Sequence, residues 1–162
     1  MEEHNGRAPR GGLRSISRFY AVQMVYRAII TGSSIRKILV ELKKHSEVVL
    51  SEDVSVSEMD NVFFQLLLET VEKHVEYVDE VISKNLSSNW KIDRLDNVMK
   101  SILRLGATEL IYILEVPPNA IFNEYIEISK AFFEKSEVAF VNGLLNSILK
   151  QHPRDSEIVS RS

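Results

Sequence analysis

The sequence predicts an all-α protein of about seven helices, and three observations carry that expectation. Apolar residues recur at three- and four-residue spacing through successive segments, the pattern of helices that turn one side to a core. The residues that punctuate those segments, Gly32 and the pair Pro117-Pro118, are helix terminators. The stretch that most resembles a strand, Ser46 to Val56 (SEVVLSEDVSV), has no second strand to pair with and is assigned to a loop.

Residues 1 to 13 hold charge, Pro9 and Gly11-Gly12 without an apolar period, and are expected to form a flexible basic arm. The helical body spans residues 14–152. Its first helix runs from Leu13 to Ile30 and stops at Gly32, with Arg14 and Arg18 four apart as a short basic ridge. A second, from Ser34 to His45, places Ile35, Ile38, Leu39 and Leu42 at helical spacing. Ser57 with Asp60 reads as a capping-box-like start for a third, either one long helix through Ile82 or two with a break near His74. Asn85 to Asn89 is a polar joint dividing the body into halves 14–88 and 89–152.

From Leu95 to Leu114 apolar residues occupy nearly the full circumference, with Lys100, Ser101, Arg104 and Thr108 in one narrow arc, so this helix is expected at the centre. After the double proline a fifth helix reaches Phe133. A last one, Ser136 to Gln151, is expected to expose Asn146 and Lys150 and to bury Phe140, Leu144, Leu145, Ile148 and Leu149. Residues 153–162 read as a loose polar tail.

With 162 residues, 44% of them hydrophobic, the chain is long enough for one substantial core and short for two ordinary domains. It has no cysteine, which excludes a disulfide framework, a thiolate metal site and a cysteine nucleophile. No apolar run is long enough for a membrane span, and the first residues lack the apolar centre of a signal peptide, so a cytoplasmic location is expected. The net charge of -3 is unevenly divided: residues 1–27 hold five arginines against two glutamates, +3 locally, and the remainder carries -6. An arginine-only basic arm on an acidic body suits phosphate contacts, or else serves as a solubilising tail.

Catalytic signatures are absent. His4, His45, His74 and His152 are scattered without metal-ligand spacing, and Gly11-Gly12 lacks the strand and lysine of a phosphate-cradling loop. No cofactor is expected. Glu109 falls in the middle of the apolar arc of the central helix and should be buried, with Arg94 or Arg104 as its partner. Glu124 edges onto the apolar side of its own helix beside Asn123, which extends the expected network to Arg94, Arg104, Glu109, Asn123 and Glu124. Gly143 inside the last helix costs about 1 kcal/mol relative to alanine, which calls either for close helix approach or for a ligand reaching the backbone and the Asn142 amide. Phe132 and Phe140 are core residues by default, or stacking platforms for single-stranded RNA; Lys130 and Lys135 nearby either track phosphate or are simply solvated.

The order Trp90, Arg94, Leu103 to Gly106 (LRLG), Glu109-Leu110, Pro117-Pro118, Phe122 to Glu124 (FNE) and Phe140 to Gly143 (FVNG) resembles the NusB family of bacterial transcription antitermination factors. Ala21-Val22-Gln23 to Tyr26 extends the likeness toward the front. The resemblance implies two small helical bundles packed together and no catalytic activity. It also implies binding to single-stranded boxA RNA of ribosomal operons with the ribosomal protein NusE, inside a larger complex with other antitermination factors and RNA polymerase. The family's arginine-rich motif maps to Leu13 to Arg18, where Arg14 and Arg18 remain, with Arg7 and Arg10 on the arm. Arg7, Arg10, Arg14, Arg18, Lys130, Phe140 and Asn142 are therefore the candidate RNA contacts. Tyr26 matches a family tyrosine on the NusE-facing side, and Met99 stands where an acidic residue is common there. The alternative is a helical protein-interaction scaffold or homodimer with weak or lost RNA binding. An RNA cytosine methyltransferase, some of which carry a NusB-like domain, is disfavoured because no glycine-rich cofactor loop or cysteine nucleophile is present.

Overall fold

A computed structural model of the protein describes residues 12–49 and 59–154. Among these residues there are six α-helices, one short 3₁₀ turn and no strand. The arginines Arg7 and Arg10, Ser57, most of the expected 46–56 loop and the tail from Asp155 onward lie outside the described residues.

α1 (Leu13–Thr31) ends where Gly32 adopts φ 68°, a left-handed conformation that glycine reaches without a Cβ clash. α2 (Ile35–Val49) starts with the Lys37 N–H donating to Ser34 Oγ at 3.1 Å and runs a turn beyond the expected stop at His45. α3 (Asn61–Asn85) is one unbroken helix through His74. Its cap is Asp60 itself, which accepts from the Phe63 N–H at 2.9 Å. After the polar joint and a 3₁₀ turn at Ile92–Arg94, Asp96 caps α4 (Asn97–Tyr112) by accepting from the N–H groups of Val98 and Met99. Pro118 opens α5 (Pro118–Lys130) at a position whose N–H has no helical partner to lose, and α6 (Lys135–Gln151) closes the order.

α1, α3, α5 and α6 all pack on α4, with α3 also meeting α6 and α1 meeting α5, and α2 lies on α1 and α3. From Met99 to Leu110 every residue of α4 except Arg104 is buried, so the central position read from the sequence is the observed one. Its polar arc is covered too. Ser101 and Thr108 donate back to the carbonyls of Asn97 and Arg104, at 2.7 and 2.6 Å, and Arg104 makes two 2.7 Å bonds to Asp79 of α3. On α6 the buried stripe is Val141, Leu144, Leu145 and Ile148, which puts Phe140 one step off its edge. Phe140 is 38% exposed, contrary to the burial expected from its apolar character. No helix among the described residues is long and apolar enough to cross a membrane.

Candidate nucleic-acid interface

The basic ridge expected on α1 is split by the fold. Arg14 remains on the surface at the root of the arm, its guanidinium 4.5 Å from the centre of the Phe63 ring, 3.7 Å from Asp60 and 3.4 Å from Glu115. Arg18, one turn later, is 3% exposed. It donates through Nε and Nη2 to the two carboxylate oxygens of Glu109 at 2.8 and 2.9 Å, and its Nη1 lies 3.7 Å from Glu124. Two acids and a ring wall surround this guanidinium, so Arg18 is a structural cation rather than a surface contact for RNA.

Glu109 is buried as the helical arc required, with a different partner from the two expected. Arg94 is exposed on the 3₁₀ turn and Arg104 is engaged by Asp79; the counter-ion comes instead from α1, 91 residues away in sequence. Tyr125 of α5 also donates its hydroxyl to Glu109 Oε2, and Ser15 donates to Glu124 at 2.7 Å. The network thus joins α1, α4 and α5 through Ser15, Arg18, Glu109, Glu124 and Tyr125, while Asn123 points outward. Burial disfavours the charge on Arg18, but the bonds to Glu109 and the attraction of its carboxylate outweigh that and hold it above the usual arginine range. Burial, reinforced by the negative Glu109, pushes the Tyr125 phenol well above the usual tyrosine range. Among the described residues no buried side-chain nitrogen or oxygen lacks a partner.

The sequence reading missed Tyr125, Ser15 and Arg154. Tyr125 was within reach: Ile121, Tyr125 and Ile128 form the buried stripe of α5, and a buried hydroxyl needs an acceptor. Arg154 had no local signal, and the tail expected to be loose from Pro153 is anchored there. Its guanidinium donates to the carbonyls of Glu109, Leu110, Ile113, Leu114 and Val116, satisfying the end of α4. Burial lowers its pKa from the ordinary value.

A second surface lies on α5 and α6. Ile126, Phe133, Val138 and Ala139 line a shallow groove together with Lys130, Glu134, Lys135 and Asn142. Lys130 pairs with Glu127 at 2.8 Å, an exposed contact one turn apart. The Asn142 amide oxygen accepts from Asn146 at 3.2 Å, and Asn142 itself is exposed. A Cβ placed on Gly143 would meet nothing within 4 Å. Close helix approach, one of the two explanations for that glycine, is thereby removed; the backbone there is open. Phe132 is half-buried and stacks on Phe19 of α1 with ring centres 6.1 Å apart. Tyr26 is exposed on α1, whereas Met99 is 5% exposed and faces the core, so a thioether contact with a partner is not available at that position. Among the described residues no group of three His, Asp or Glu side chains stands close enough to hold a metal ion.

Comparisons with known proteins agree with this architecture. The family model described as "NusB family" matches residues 15–150. The transcription antitermination protein NusB of Caulobacter vibrioides is 36% identical over 137 residues, covering 85% of this chain and 92% of its own. The solved NusB structure from T. maritima superimposes with a TM-score of 0.72 at 23% identity, over 90% of this chain and 96% of its own, a likeness of fold. A crystal structure of antitermination factors NusB and NusE in complex with dsRNA superimposes with a TM-score of 0.65 at 31% identity, over 83% of this chain and 94% of the matched one.

Proposed function

This chain belongs to the NusB family, and from that membership we propose that it is a non-catalytic RNA-binding transcription antitermination factor, acting on boxA-type RNA of ribosomal operons together with NusE. The observation that carries the RNA reading is the open Gly143. A glycine in a helix interior costs about 1 kcal/mol, and here no packing neighbour asks for it. Exposed backbone at Gly143 beside the exposed Asn142, with Lys130 and Lys135 along the adjoining groove, offers matching groups to a base edge and a phosphate, and the Phe140 ring, 38% exposed on the other flank of α6, offers one to a base face. Arg14 supplies cationic charge at the α1 end, and Arg7 and Arg10 precede it in sequence. In this role the chain works in the cytoplasm, within a complex that includes other antitermination factors and RNA polymerase. NusE would meet the exposed Tyr26.

One observation favours a second reading, a protein scaffold or homodimer without RNA binding: burial of Arg18 thins the basic surface that the arginine spacing promised. Fluorescence anisotropy separates the two. A labelled boxA-type RNA and a scrambled control are titrated with the protein, alone and with NusE, at two salt concentrations. Preference for boxA that sharpens with NusE is expected, and Arg14→Ala should lower the salt slope by about 1. Equal, weak binding to both RNAs under all conditions would replace this reading with the scaffold.

A further inference from the structure

Arg14 is held by three groups that differ in how easily they can be removed. Phe63, whose ring lies 4.5 Å from the guanidinium carbon, is 2% exposed and cannot leave. Asp60, at 3.7 Å, is fixed by its work as the cap of α3. Glu115 is different. It sits on the turn between α4 and α5 with its side chain 60% exposed, and its Oε1 is 3.4 Å from Arg14 Nη2. Nothing else among the described residues is seen to bond its carboxylate.

We propose that Glu115 is an affinity-setting residue of the RNA surface: its carboxylate occupies the place on Arg14 that an RNA phosphate takes. The proposal rests on the RNA reading above. A carboxylate oxygen and a phosphate oxygen are both anionic acceptors for a guanidinium N–H, so a phosphate can take the single 3.4 Å contact that Glu115 Oε1 makes to Arg14 Nη2 without moving the arginine. Phe63 and Asp60 keep the guanidinium in position while Glu115 swings into water. Because an exposed pair of this length is weak, the exchange tunes binding rather than blocking it. Arg18 is excluded from such exchange, since its donors are committed to Glu109 inside the core.

The test is a double-mutant cycle read by anisotropy of a boxA-type RNA with NusE at low salt, using the chain as it stands, Glu115→Gln, Arg14→Ala and the double variant. Melting temperatures are recorded alongside to confirm that all four are folded. Glu115→Gln should tighten binding about two- to fivefold when Arg14 is present, and leave it unchanged when Arg14 is alanine. Equal tightening in both backgrounds would mean a general charge effect and overturn the proposal, as would no tightening in either. If the unsubstituted chain fails to bind the RNA even with NusE, the RNA reading itself falls, and this inference with it.

Discussion

Two glycines lie inside helices of this protein, and they stand in opposite surroundings. Gly106 lies in α4 where α5 and α6 press against it: a Cβ there would come within 3.0 and 3.2 Å of the two methyl carbons of Leu145 and 3.5 Å of the Tyr125 ring. Gly143 lies on the outer side of α6 with nothing within 4 Å. One glycine lets two helices approach, the other keeps backbone open to solvent. The same contrast separates the two arginines of α1, one locked between acids in the core and one on the surface beside an exposed carboxylate. Residue type is identical within each pair, and every member lies inside a helix. What differs is which neighbour the fold brings against them, and that decides whether the residue is committed to the core or left open at the surface.

The comparison is broken most severely at the core network. Glu109→Ala leaves Arg18 buried beside the more distant Glu124, and a loss of about 3–5 kcal/mol is expected, the usual result of removing one member of a buried pair. Urea denaturation measures it; a midpoint unchanged from the parent would show that the network does not hold the helices. Tyr125→Phe should cost less, about 1–3 kcal/mol, for one bond to a charged acceptor. It also carries a pH signature. The fold raises the Tyr125 pKa, so its contribution to stability is complete below the unfolded tyrosine value of about 10 and is withdrawn as pH climbs from there toward the folded value. The melting temperature should therefore fall less steeply above about pH 10 in Tyr125→Phe than in the parent.

The glycines themselves sharpen the contrast with the smallest effects and opposite signs. Gly106→Ala gains helix propensity but forces the Leu145 side chain aside, for a net loss of about 1 kcal/mol. Gly143→Ala should stabilise by about 0.5–1 kcal/mol, since nothing opposes the new methyl group. If Gly143→Ala destabilised as much as Gly106→Ala, the distinction between a packed and an open glycine would collapse.

Much of the fold was legible beforehand because it depends on local rules. Gly32 ends α1 through its left-handed backbone, Pro117-Pro118 separates α4 from α5, and the near-continuous apolar circumference of Leu95 to Leu114 put α4 at the centre. The burial of Glu109 was legible for the same reason, since 100° per residue places it on the covered side. Its counter-ion was not. Arg94 and Arg104 are near in sequence, but Arg94 faces solvent and Arg104 meets Asp79 across the α3–α4 contact.

At the candidate interface, spacing identified Asn142, Gly143 and Arg14 as residues to watch; the default burial of Phe140 gives way to its alternative, an exposed ring, and the partner-facing position that the family resemblance implied for Met99 is buried. Both follow from stripe geometry: Phe140 is one step outside the buried row of α6, and Met99 belongs to the part of α4 that is covered by its neighbours.

By itself, then, the sequence determined that the chain is helical, that α1 stops at Gly32, which helix is central and which family pattern the chain follows. These are properties of short windows, set by backbone conformation and periodicity. The tertiary structure alone decided that Arg18 turns inward to Glu109 while Arg14 stays out, that Arg154 closes the end of α4, and that Gly106 is crowded and Gly143 free. Those outcomes depend on the angle and depth at which helices distant in sequence meet, and a side chain's spacing along its own helix does not encode what packs against it.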